Sequence, residues 1–136
     1  MHFINERVND ARKAFADAKT AFIAANAAPR RHAAALFGLG FIAYASGDAK
    51  AAQQLLTEGL RKDPTFVDAY VALGDLAAES RDKGRALANY KKAVEVAPEY
   101  ASAWFTYGAA AADARAKAVA KKALQTYLKL APSGDM

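Results

Sequence analysis

The chain has 136 residues with a formal net charge of +5, 54% hydrophobic residues, four Pro, eight Gly and no Cys. That length can bury one core without staples, and the missing Cys excludes disulfides, thiolate metal sites and thiol nucleophiles. The basic charge raises a nucleic-acid reading, but pairs such as Lys91-Lys92 and Lys121-Lys122 are scattered without interleaved aromatics, so a solvated basic face is the expectation.

Abundant Ala with few helix breakers favours helix throughout and little or no sheet. No apolar run approaches the roughly 18 residues of a membrane span, and the opening MHFINERVNDARK lacks the apolar core of a secretory signal. The expected location is therefore the cytoplasm, or the periplasm if a signal has been removed.

Residues 1–29 come first. Ile4, Val8, Ala11, Phe15, Ala18, Phe22 and Ala25 recur at alternating steps of about four and three, one apolar stripe on a long amphipathic helix that stops near Asn26–Pro29. This helix is expected to cover the element that follows. A coiled-coil seam for dimerisation is the rival reading.

The next stretch repeats itself. Pro64, Pro98 and Pro132 stand 34 residues apart, and alignment on them stacks residues 33–66, 67–100 and 101–132. Leu36, Tyr70 and Trp104 fall in one column and Leu39, Leu73 and Tyr107 in another. Gly40, Gly74 and Gly108 follow, then Ala43, Ala77 and Ala111. In the second half of each unit Ala52, Ala86 and Ala120 precede Leu56, Tyr90 and Leu124. A bulky residue beside a Gly on one helix, with a small and a large residue four apart on the next, predicts two helices in close contact over the Gly. Each Pro stops the second helix.

The turn inside each unit varies. Ser46-Gly47-Asp48 is a strong stop and start. Arg81-Asp82-Lys83-Gly84 is weaker, and Asp113 to Lys117 has neither Gly nor Pro, so on propensity alone it runs on as helix. Repeat register predicts a turn there nevertheless.

These columns resemble the tetratricopeptide repeat, whose period is about 34 residues with a W-x₂-L-G-x₂-Y, A-x₃-F and P pattern. The late aromatic of the first helix is replaced by Ala in all three copies. The resemblance covers residues 30–132 and implies an all-α, right-handed α-solenoid of three antiparallel helix pairs, preceded by the amphipathic helix and followed by a short tail, 133–136. It also implies a protein-interaction scaffold or adaptor that holds a peptide or helix along the first helices of the units, of a kind common in bacterial assembly and secretion systems. Self-association, or a domain of a larger protein, is the alternative.

One place beyond the packing columns, the inward-facing set is Ala34, Phe37, Phe41 and Tyr44, then Asp68, Val71, Asp75 and Ala78, then Ser102, Phe105 and Ala109. Phe37, Phe41 and Tyr44 form one stripe, and Asp68 and Asp75 share another face. The expected partner is a segment with apolar and basic residues, bound at Phe37, Phe41, Tyr44, Asp68, Val71, Asp75 and Phe105. Chaperone-binding members of the family grip a C-terminal carboxylate with Lys and Asn, but the matching places here hold Phe37, Phe41, Ala72, Ser102 and Thr106. The end of the chain lacks the usual polar capping helix, and Tyr107, Leu128 and Leu130 are expected to form an apolar assembly surface.

Chemistry has little to work with. His2 and His32 are isolated from any carboxylate cluster, and no catalytic triad, phosphate loop or paired acid and base is present. No enzymatic activity, metal or cofactor is expected.

Overall fold

The computed structural model describes residues 9–14, 16–17 and 29–131. The chain divides into two compact units, Met1–Ala69 and Tyr70–Met136. Six helices follow one another: α1 (Pro29–Ala45), α2 (Ala49–Lys62), α3 (Val67–Glu79), α4 (Lys83–Val96), α5 (Ala101–Asp113) and α6 (Lys117–Leu130). Starts and ends of α2, α4 and α6 are spaced by the repeat of 34, and no strand occurs among the described residues. Helix α1 is longer than α3 and α5 because it begins at Pro29, where a fixed φ and a missing N–H suit the first helical turn.

In unit 1 the backbone is also helical at residues 9–14 and 16–17. Ile4, Val8, Phe15, Ala18, Phe22 and Ala25 of the expected stripe lie outside the described residues, and Ala11 is half-buried. Arg12 donates to the Asp48 carboxylate at 2.6 Å, tying this segment to the start of α2.

Hairpin packing follows the glycine column. A Cβ on Gly40 would lie 2.7 Å from Leu56 Cδ2, and one on Gly108 would lie 2.8 Å from Leu124 Cγ. Gly74 presses on the Tyr90 ring in the same way. No side chain fits at these crossings, so the large residue of the second helix lies directly on bare backbone. Leu36 and Leu56 are fully buried in unit 1. In unit 2, Ala77, Ala86 and Tyr90 form a buried cluster onto which Val71, Tyr107 and Ala110 pack.

The three turns are built alike despite their different sequences. Gly47, Arg81 and Arg115 all take positive φ, at 82°, 64° and 62°. In each, the next residue's N–H reaches back to a helix carbonyl: Asp48 to Ala43 at 2.9 Å, Asp82 to Ala77 at 2.8 Å and Ala116 to Ala111 at 2.8 Å. This is the Schellman closure of a helix end. Propensity fails at Asp113–Lys117 because α5 and α6 pack on each other through Gly108 and Leu124, which outweighs the cost of about 1–2 kcal/mol for a left-handed Arg. Restarting the chain is also unequal. Asp48 accepts from Ala51 N–H and Asp82 from Arg85 N–H, each at 3.1 Å, whereas Ala116 offers α6 no side-chain cap.

Candidate functional site

The inward stripe of unit 1 does not stay open. Phe37 is 5% exposed: its ring sits where a Gly59 side chain would be, with Cε1 2.6 Å from the missing Cβ, and tilts against Phe66 at 4.4 Å between centroids. Phe41 meets the edge of Phe66 at 6.2 Å, and Phe41 and Tyr44 are half-buried. The expectation that Phe37 lines an open groove is therefore corrected: it is a core residue of the first hairpin. Asp68 is exposed.

Unit 2 treats the corresponding positions differently. Val71 is half-buried and packs against the Ala77, Ala86 and Tyr90 cluster. Asp75 is half-buried and accepts a short hydrogen bond from the Tyr90 hydroxyl, so it holds its own hairpin together. Phe105 is 51% exposed and braced edge-on by Tyr127 at 5.3 Å.

One repeat column explains this contrast. Residues 59, 93 and 127 are 34 apart and hold Gly, Ala and Tyr; Gly59 faces Phe37 and Tyr127 faces Phe105 in the other helix. Gly59 makes room for a ring; Tyr127 fills that room and leaves Phe105 standing out.

Phe105 stands in a groove of about 680 Å³ within unit 2. Its walls are apolar, with Ala78, Ala86, Ala109, Ala110 and the Tyr90 ring, and its polar rim is Arg81, Lys83, Thr106 and Asp113. Lys83 Nζ lies 3.5 Å from the Asp113 carboxylate, an exposed pair of little energetic weight. Arg81, Lys83, Ala86, Tyr90 and Ala110 were outside the inward set read from sequence. They come from the turn, from α4 and, for Ala110, from α5, and the left-handed Arg81 gave no signal because Gly is the residue expected there.

The expected assembly surface separates into parts. Tyr107 packs on the core cluster of unit 2 and beside Trp104, with centroids 6.3 Å apart. Leu128 and Leu130 are 55% and 37% exposed, but two residues on a helix point about 200° apart, so they form no single patch.

The family model described as Tetratricopeptide repeat matches residues 67–100, and the flanking hairpins repeat its helix spacing, glycine contacts and turns. Residues 67–100 match a tetratricopeptide repeat, and the hairpins on either side share its fold. The fold class of the chain is the all-α helical-repeat solenoid. The crystal structure of MamA superposes with a TM-score of 0.75 at 21% identity, over 90% of this chain and 68% of that one. A second MamA structure gives 0.66 at 21%, over 90% and 62%. The first tetratricopeptide-repeat domain of Spaghetti (RPAP3), bound to the HSP90 peptide SRMEEVD, gives 0.67 at 23%, over 74% and 80%. These likenesses are of fold. No curated protein sequence matches the chain.

Tetratricopeptide repeats are in general interaction scaffolds without catalysis of their own. Among the described residues of this chain, no group of three or more His, Cys, Asp or Glu could hold a metal ion. No described helix is long and apolar enough to cross a membrane.

Proposed function

We propose that this chain is an adaptor that holds a segment of another protein, with Phe105 and its groove as the principal contact, in a bacterial assembly or secretion system. The observation that carries the reading is the half-exposed Phe105 in an apolar groove of about 680 Å³. An aromatic ring held open by a fixed neighbour is preorganised for an apolar anchor, and anchors in such pockets dominate interface energetics. In unit 1, exposed Asp68 offers a partner's Lys or Arg a place to pair. RPAP3 is a fold relative that holds a peptide, which supports the general mode. An acidic peptide of that kind is not the ligand proposed for this groove, because the places of the family's carboxylate clamp here carry no Lys or Asn.

The test is a peptide library panned against the whole chain. Selected segments should carry an aliphatic or aromatic anchor, and Phe105→Ser should weaken them about tenfold or more while the thermal melt stays in place. Segments that bind Phe105→Ser as well as wild type would sink the reading.

A second reading is self-association through α6, favoured by the exposure of Leu128. Light scattering decides it: Leu128→Lys should return a dimer to monomer, and a wild-type chain that remains monomeric at high concentration removes it.

A further inference from the structure

A second, smaller depression of about 260 Å³ lies within unit 2 between α4, α5 and α6. It is separate from the Phe105 groove. Helix α5 contributes Trp104 and Tyr107 to it, and at about 100° per residue these project from roughly the opposite side of the helix to Phe105 and Ala109. Val94, Val119 and Ala123 complete an apolar wall, and Lys91, Lys122 and Glu95 stand at the edge. Val119 is 39% exposed, although it is a β-branched apolar residue on a helix surface.

Charge around the depression is one-sided. At its edge Lys91 and Lys122 stand against Glu95 alone, and Lys92 and Lys121 are their neighbours in sequence on α4 and α6. Lys91, Lys92, Lys121 and Lys122 are exposed, and among the described residues none of these four has an ion-pair partner. A cationic rim around an apolar hollow is complementary to an apolar side chain flanked by carboxylates. The volume is about nine water molecules' worth, room for one large side chain, whereas a whole helix is about 10 Å across.

We propose that this hollow is a second docking site, for an acidic protein segment that inserts one aromatic or large aliphatic side chain between Trp104, Tyr107 and Val119. Single-stranded nucleic acid fits less well. It needs open aromatic faces on which bases stack, whereas both rings here are half-buried, and the Trp104 indole N–H is already spent on the Pro98 carbonyl at 2.7 Å.

Trp104 is the only Trp in the chain, so its fluorescence reports on this site. The probe is a short Trp-free synthetic peptide with a central Phe flanked by Glu and Asp, titrated into the whole chain. Its binding should shift and quench Trp104 emission. Replacing the peptide's Phe by Ser, or introducing Lys91→Glu with Lys122→Glu, should weaken it about tenfold or more, and the double change should flatten the salt dependence. Val119→Glu should abolish binding, and Phe105→Ser should leave it unchanged, which separates this site from the groove on the other side of α5. Circular dichroism of each variant checks that the fold is intact. The proposal is overturned if the emission does not respond, or if the double Lys variant binds equally well. It is equally overturned if oligothymidylate or phosphatidylglycerol vesicles bind more tightly than the peptide at the same ionic strength.

Discussion

Phe37 and Phe105 occupy the same place in two repeats and have opposite fates, because Gly59 faces one and Tyr127 the other. The glycine columns work by the same logic of exclusion, since a residue without a side chain fixes where the neighbouring helix lies. Replacing Gly108 by Leu should overpack α5 against Leu124 and lower stability by about 1–3 kcal/mol, read as a drop in the thermal melt; an unmoved melt would refute that packing. Asp75 belongs to this scale too. Its side chain accepts from the Tyr90 hydroxyl, so Asp75→Ala should cost about 1 kcal/mol in urea unfolding, whereas Asp68→Ala, at an exposed position, should cost nearly nothing. Equal effects from the two would show that the Tyr90 contact contributes no net stability. The sequence placed both aspartates on the first helix of one repeat but could not tell them apart, because the partner that distinguishes them comes from the other helix of the hairpin.

Helix ends set the differences between hairpins. Asp48 and Asp82 cap α2 and α4, while Ala116 stands at the same place before α6 without a side-chain acceptor. Ala116→Asp should therefore stabilise the chain by about 0.5–2 kcal/mol, measured as a higher denaturant midpoint with an unchanged slope. Asp48 also makes one end sensitive to acid. The Arg12 guanidinium, then the Ala51 N–H, hold its carboxyl below the usual value. Its contribution is therefore complete above the unfolded value of about 3.9 and is lost as the pH falls through the lower folded one. Melts taken through that range should fall less steeply for Asp48→Asn than for wild type, and parallel curves would show that the Arg12 pair adds nothing. Added salt should shrink the difference, since the pair is partly exposed.

At the scale of the molecule, the 34-residue spacing of proline, glycine and alanine columns made the helix pairs legible, because each column records a contact inside one hairpin. What it could not record was depth. Counting one place beyond the packing column treats every repeat as identical, yet Phe37, Val71 and Phe105 range from core to surface according to what faces them. The groove walls from α4 and the turn at Arg81 were missed for a related reason, since a turn that depends on tertiary packing carries no glycine to announce it. That same feature, a left-handed non-glycine residue followed by an uncapped helix start at Arg115 and Ala116, bears on how the chain opens. Local opening is cheapest where backbone strain and missing caps coincide, so amide hydrogens at the start of α6 should exchange with solvent faster than their counterparts in α2, where Gly47 and Asp48 stand at the same two places. Ala116→Asp should slow that exchange selectively. Uniform exchange across both helix starts would mean that packing over Gly108 clamps the third hairpin as firmly as the first. If the gradient is present, the hollow at Trp104 is built partly on the least protected helix, and a ligand seated there should lower the exchange rate of α6 more than that of any other element.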